Sequence, residues 1–290
     1  MSLFLERHTG GERALLVHLK LAVDREQDDL EEFENLAQSA GCLPVKVILG
    51  SRVAPHPKWF VGSGKLVEMA SYVQKLAADV VIFNHSLSAS QERNLEIKLC
   101  CKVIDRTTLI LDIFSQRART HEGKLQVELA QLQHLATKLI RGWTHLERQQ
   151  GGIGTRGPGE TQLEFDKRLV RNRVSTVKSR LIKVQKQREQ NRLRRARSGL
   201  PVVSLVGYTN VGKSQLFNQL TRADVFVKNQ LFATLDPTMR KGYLNDYGSV
   251  IFADTVGFMS NLPHRLIEAF RATLEEVCQA SLLLHVVDLT

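Results

Sequence analysis

Gly207-Tyr208-Thr209-Asn210-Val211-Gly212-Lys213-Ser214 is the stretch on which the fold turns. It matches G-x4-G-K-[ST] and sits between an apolar run, PVVSLV (Pro201–Val206), that reads as a strand and a segment that reads as a helix. In that setting the glycines let successive backbone N–H groups turn inward around a β-phosphate. The helix that follows aims its positive end at the same charge. Lys213 is placed to reach the β- and γ-phosphate oxygens, and the Ser214 hydroxyl is a hard oxygen ligand for Mg2+.

Downstream, Asp254-Thr255-Val256-Gly257 follows the apolar strand SVIFA (Ser249–Ala253). An Asp ending such a strand can hold Mg2+ or its water shell, and a Gly three residues later can offer its N–H to a γ-phosphate. Alone, D-x-x-G is a weak signal; one strand after a phosphate loop it points to a switch GTPase. Between the two motifs, Phe232-Ala233-Thr234-Leu235-Asp236 is the candidate first switch, and its residues are expected to contact the nucleotide. Its Thr234 is a candidate second hydroxyl that closes over Mg2+ when γ-phosphate is present. By spacing alone, Thr234 and Thr238 are equal candidates for that role. SLLLHVV (Ser281–Val287) reads as a third buried strand, with a helix expected between about His264 and Gln279.

Upstream, the first ~120 residues alternate β-rich runs with helical patterns, which predicts a layered, parallel α/β domain. Strands are expected at Ala14–Val23, Val45–Leu49, Val80–Phe83 and Val103–Ile104, and helices over 24–40, 66–77 and 90–99. The glycine-rich FVGSGK (Phe60–Lys65) lacks the P-loop spacing; it reads as a tight turn before a helix, with a phosphate contact as the lesser alternative. Then Leu125, Leu129, Leu132, Ala136, Leu139, Trp143 and Leu146 form a heptad seam, and Leu163, Val170, Val174, Val177, Leu181 and Val184 form a second. GGIGTRGPG (Gly151–Gly159) breaks the helix between them, and Thr161-x-x-Glu164 has the form of a capping box. Two heptad helices about such a breaker predict an antiparallel coiled-coil arm, each helix of roughly 26 residues being about 39 Å long.

The fold class expected is therefore α/β in three parts. A layered N-terminal α/β domain covers 1–122, a helical hairpin with a glycine-rich tip covers 123–198, and an incomplete P-loop GTPase domain covers 201–290. With 43% hydrophobic residues the 290-residue chain can bury sizeable cores, which excludes global disorder. No apolar run approaches the ~18 residues of a membrane-spanning helix. The N-terminus lacks the apolar core of a secretory signal. Cys42, Cys100, Cys101 and Cys278 show no C-x-x-C spacing and read as ordinary buried thiols. These features predict a cytoplasmic protein, and we take it as a monomer.

The net charge of +10 is concentrated in one place. Residues 167–197 hold thirteen Lys or Arg and one acid, Glu189, whereas the rest of the chain carries 27 bases against 29 acids. A coiled-coil helix with a basic outer face would be ordinary if acids balanced it. Here they do not, which favours a polyanionic partner. Few aromatic residues are interleaved, so phosphate contact is expected rather than base stacking. Arg171, Arg173, Lys178, Arg180 and Lys186 are the candidates for it, together with the glycine-rich tip loop Gly151–Gly159, which lacks side-chain bulk and carries Arg156 as its one charge; a flexible connector is the competing reading of that loop.

GYTNVGKS, LFATLDPT and DTVGF resemble the HflX GTPases, of the class related to translation factors. DRTTLILDIFSQRARTHEGKLQVELAQL (Asp105–Leu132) and GGIGTRGPGETQLE (Gly151–Glu164) extend the resemblance upstream. The resemblance implies a cytoplasmic, Mg2+-dependent GTPase that cycles between GTP and GDP. It also implies binding to the large ribosomal subunit and its RNA, and separation of stalled ribosomes into subunits. Within the site it assigns Thr234 as the switch I magnesium ligand. Gln215 departs from the family, which usually has Thr there. The guanine-reading [NT]KxD motif expected on a later strand is also absent, so the GTPase domain is expected to be cut short of it. Phe258 stands where Ras-like GTPases carry the water-positioning Gln, which implies slow intrinsic hydrolysis and a second source for water positioning. Related GTPases use an Asn at the position of Asn210 to help hold a catalytic K+; a turn-stabilising Asn is the competing reading.

Three function classes stand after this reading. They are a ribosome-bound GTPase switch, an NTP-dependent RNA remodeller with loose base specificity, and a non-enzymatic RNA-binding fragment. Relative affinity for GTP and ATP separates the first two, and absence of nucleotide binding would single out the third.

Overall fold

The computed structural model describes residues 11–21, 30–149, 158–197, 199–221, 231–259, 262 and 277–288. The chain divides into two compact units, Met1–Asp112 with Thr137–Gly154, and Ile113–Ala136 with Thr155–Thr290.

The first unit is built on four parallel strands, β1 (Arg13–Leu21), β2 (Leu43–Arg52), β3 (Val80–Phe83) and β4 (Lys102–Asp105), in the order β2-β1-β3-β4. Every residue of β3 is buried, as a strand covered on both faces requires. Crossover helices α1 (Leu30–Ser39), α2 (Ser63–Lys75) and α3 (Ala89–Leu99) connect the strands. The alternation read from the sequence is the alternation observed. FVGSGK forms the predicted turn, with Gly62 as the N-cap of α2. Ser88 caps α3 in a reciprocal capping box with Gln91.

A buried polar network follows the carboxyl ends of these strands. Arg106 donates to Asn84 Oδ1 at 2.6 Å and pairs with Glu32, and Lys138 pairs with Glu92. Desolvation raises the Glu92 pKa even with Lys138 beside it.

Two of the cysteine expectations change. None of the four cysteines is in a disulfide, but Cys100 and Cys278 are exposed. Cys100 is the left-handed C-cap of α3, a position at the surface end of the helix (φ 53°).

Arg106–Arg117 (α4) is a helix that the sequence reading passed over, because its apolar residues fall in a nearly continuous cluster rather than a stripe. Helix α5 then runs from His121 to Gln149 and α6 from Pro158 to Arg197, 29 and 40 residues long. Both exceed the expected 26, because good helix formers such as Lys, Arg and Gln carry α6 on past its apolar positions. Helix α6 also starts at Pro158, ahead of the expected Thr161 capping box. Proline is preorganised for a helix's first turn, where its missing N–H costs nothing. The remainder of the tip loop, 151–157, lies outside the described residues.

In the second unit Leu125, Leu132, Val170, Val177 and Leu181 of the two seams are buried. Glu128 pairs with Arg173 and Glu122 with Arg188. Advancing along α5 thus moves backward along α6, so the two run antiparallel over this stretch. The side chains of Trp143, Leu146 and Leu163 lie outside the described residues.

The second sheet has the order β6-β7-β5-β8, from β5 (Val202–Val206), β6 (Thr238–Leu244), β7 (Gly248–Asp254) and β8 (Leu282–His285). Strand β5 is parallel to β7 and β8, and β6 pairs antiparallel with β7. Leu205, Phe217, Val250 and Phe252 form the core between this sheet and α7 (Lys213–Thr221). Strand β8, read from sequence as buried, is exposed at all four residues. Among the described residues it pairs only with β5 and stands at the sheet's edge. The expected helix near 264–279 falls mostly on residues outside the description.

Candidate functional site

The site gathers at the carboxyl ends of β5 and β7, where an open parallel sheet places its ligands. Strand β5 runs into the loop Gly207–Gly212, and α7 begins at Lys213. The loop turns through positive φ at Asn210 (65°) and Gly212 (85°). Asn is among the few non-glycine residues that tolerate this conformation, as the turn-stabilising reading of Asn210 requires. Tyr208 is exposed, whereas Thr209 and Val211 are partly covered.

Lys213 is buried, and its Nζ donates to the Tyr208 carbonyl at 2.5 Å. Desolvation pulls its pKa down to about 8, against the opposing pull of Asp254. A polyphosphate would supply the anionic partner that this ammonium needs.

The three candidate magnesium-site side chains meet. Ser214 Oγ donates to Asp254 Oδ2 at 2.6 Å, Thr234 Oγ1 donates to the same oxygen at 2.9 Å, and the two hydroxyls are 2.9 Å apart. Asp254 is fully buried, and desolvation raises its pKa, partly offset by the two hydroxyls and Lys213. Its Oδ1 is buried with no hydrogen-bond partner among the described residues. Two hydroxyls and a carboxylate with a buried, unpartnered oxygen fit a hard divalent cation such as Mg2+. Spacing left Thr234 and Thr238 equal. Here Thr234 joins the cluster, while Thr238 opens β6 in register with Asp254.

The D-x-x-G segment lies against the loop. Thr255 Oγ1 donates to the Leu205 carbonyl at 2.6 Å, and Val256 is buried. Thr209 N–H donates to the Phe258 carbonyl at 2.8 Å, and Phe258 N–H to the Gly207 carbonyl at 3.0 Å. A Cβ on Gly257 would lie 2.6 Å from Thr209 Cα, so only glycine permits this approach. Because the obstacle is backbone, Gly257→Ala is expected to cost about 1–3 kcal/mol through forced displacement. Denaturant titration of the folded protein checks this, and an unchanged midpoint would refute the packing argument.

The remaining candidates of the first switch are placed differently from the sequence reading. Phe232 is buried edge-on against Phe114, with ring centroids 4.8 Å apart, and Leu235 is buried as well. Ala233 is partly covered. The Asp236 carboxylate is taken up by Arg119 and Thr120 at the start of α5, not by the phosphate loop. Sequence reasoning missed Phe114 as the partner of Phe232, and Arg119, Thr120 and Gly123 as the surroundings of Asp236. The only local signal was the Thr-x-x-Gly opening of α5, which carries no hint of a partner more than a hundred residues away.

A β-strand, a phosphate loop, a helix, and two switch segments converging on one serine define a P-loop GTPase-type nucleotide-binding domain. Comparisons with known proteins agree along nearly the whole chain. Residues 27–115 match the family described as GTP-binding GTPase N-terminal, 117–195 the GTP-binding GTPase middle region, and 202–290 the 50S ribosome-binding GTPase family. GTPase HflX of Escherichia coli K12 is 63% identical over 284 residues, covering 98% of this chain and 66% of that protein. GTPase HflX of Magnetococcus marinus is 49% identical over 290 residues, covering 99% of this chain and 67% of that protein. The chain belongs to the HflX GTPase family and spans about two thirds of the length of these relatives. A GTP-binding protein from Sulfolobus solfataricus, solved in complex with GDP, shares the fold. Its TM-score is 0.52 at 22% identity, covering 96% of this chain and 71% of that one.

Among the described residues no helix is long and apolar enough to cross a membrane.

Proposed function

We propose that this protein is a Mg2+-dependent GTP-binding and GTP-hydrolysing switch. It acts in the cytoplasm on the large ribosomal subunit and promotes the separation of stalled ribosomes. The observation that carries the reading is the junction of Ser214, Thr234 and Asp254, one side chain from each of the loop, the first switch and the second. A site in which the first switch contributes an oxygen only when closed can distinguish triphosphate from diphosphate. The labour divides as an N-terminal α/β domain, a helical hairpin and a nucleotide domain, in the boundaries 1–122, 123–198 and 201–290.

In this reading Gly207, Gly212 and the intervening backbone N–H groups cradle the β-phosphate, and Lys213 bridges β- and γ-oxygens. Ser214 and Thr234 would hold Mg2+ through their hydroxyl oxygens, with Asp254 behind them accepting the two hydroxyl protons. Bound there, Mg2+ would supply neutralisation of charge on the phosphoryl group. Gly257 offers its N–H to the γ-phosphate. Phe258 neither donates nor accepts through its side chain, so water positioning falls to a group outside this segment, for which ribosomal RNA is the proposed source. The basic outer face of α6 supplies the RNA contact.

Binding of GTP, GDP and ATP, measured with and without large ribosomal subunits, tests the reading. Tighter GTP binding on the subunit supports it, whereas equal GTP and ATP affinities would favour the RNA-remodeller alternative. Thr234→Ala is expected to weaken Mg2+-dependent binding of a GTP analogue about 5–50-fold, the range for losing one charge-assisted contact, and to spare GDP. Equal losses for both nucleotides would remove Thr234 from the triphosphate-sensing role.

A further inference from the structure

Two residues beyond Thr234, the first switch is anchored on a helix. The Asp236 carboxylate accepts from the backbone N–H groups of Arg119 and Thr120, each at 2.8 Å, and from the Thr120 hydroxyl at 2.7 Å. Thr120 is also the N-cap of α5. Its hydroxyl accepts from Gly123 N–H at 2.9 Å, and its carbonyl accepts from Lys124 N–H at 3.0 Å. A carboxylate here also meets the positive end of a 29-residue helix.

Two other fits hold the same segment. Phe232, two residues before Thr234, is buried against Phe114 near the end of α4. At Gly123, a Cβ would lie 2.0 Å from Asp236 Oδ1. The atom in the way is the end of a side chain rather than backbone. A methyl group at Gly123 would therefore evict the carboxylate and leave α5 itself in place. Thr234 thus lies between two anchors, one apolar and one charged, both on the α4–α5 corner.

We propose that this corner is the dock that positions the first switch. Asp236, held by Thr120 and admitted by Gly123, sets the Thr234 hydroxyl beside Ser214 and Asp254, and thereby couples triphosphate binding to the order of the first turn of α5. Asp236 is in this sense a positioning residue acting through Thr234. The proposal rests on the reading of the site as a triphosphate switch. Coupling of this kind is reciprocal: whatever shifts the start of α5, including a partner engaging the helical hairpin, changes triphosphate affinity by the same factor.

The test uses the intact protein with Gly123→Ala, Asp236→Ala and the double variant. Binding of a non-hydrolysable GTP analogue and of GDP is measured in Mg2+, and backbone hydrogen exchange is followed at Arg119 and Thr120. Alanine favours a helix over glycine, so a purely structural Gly123 predicts undiminished thermal stability and an unchanged ratio of analogue to GDP affinity. The dock predicts instead that each single variant lowers that ratio about tenfold. It also predicts that the double variant is no worse than Asp236→Ala, because the added methyl then meets no carboxylate. Without nucleotide, exchange at Arg119 and Thr120 should quicken in both single variants. A wild-type ratio in Gly123→Ala, or losses that multiply in the double variant, would overturn the dock while leaving the switch reading intact. If the unsubstituted protein itself binds the analogue and GDP alike in Mg2+, the switch reading fails and the dock falls with it.

Discussion

Lys213→Ala is expected to abolish measurable triphosphate binding, or to lower turnover by about 10²–10³, the loss typical of removing one preorganised donor to developing charge. The side chain is buried, and among the described residues its ammonium donates to the Tyr208 carbonyl of its own loop. Removing it deletes a cation from the phosphate cradle and takes little from the apolar core, which Leu205, Phe217, Val250 and Phe252 provide. Burial already penalises this ammonium in the free protein, which offsets part of the stability lost when Asp254 is left without its countercharge. Isothermal titration with a GTP analogue, beside a thermal melt, separates the two effects. Retained affinity in a folded variant would refute the assignment of the loop to phosphate.

The second large effect is expected on α6. Arg171, Lys178, Arg180 and Lys186 are exposed, and no ion pair joins them to an acid among the described residues. Arg173 belongs to a different set, since its guanidinium meets Glu128 at 2.5 Å, and Arg188 likewise meets Glu122. Reversing the four unpaired charges should flatten the dependence of RNA or ribosome affinity on salt by about 0.7–0.9 in log–log slope per lost phosphate contact. Reversal of Arg173 should instead show its main effect on stability, because it sets a like charge against Glu128 across the helix pair. A slope that does not change in the four-residue variant would reduce the basic face to a solvated surface.

The phosphate loop was legible in the sequence because its chemistry is carried by backbone turns and by two residues at fixed spacing. The same holds for Asp254–Gly257, once an apolar strand precedes it. The first switch was legible only as a segment. Thr234 and Thr238 carry the same hydroxyl, four residues apart, and no local rule ranks them. Asp236 was read as a nucleotide-contacting residue because it lies beside Thr234, yet its carboxylate is bound 116 residues back in the chain, at Thr120. Strand β6 went unread because its half-exposed, mixed sequence shows neither clear alternation nor a continuous apolar run.

By itself the sequence determined the parallel α/β alternation, the phosphate loop, the acidic second switch, the two long helices and the concentration of charge on the second of them. Each is a periodicity, a spacing or a local excess, and each is decided by interactions within a few residues of the chain. Spacing left open, and tertiary structure decided, which hydroxyl meets Asp254, where the Asp236 carboxylate goes, and which arginines of α6 are paired with α5. Those outcomes depend on contacts between residues far apart in the chain, from 20 positions for Thr234 and Asp254 to 117 for Arg119 and Asp236. Their energies exist only once the elements have packed, so no window of sequence holds them.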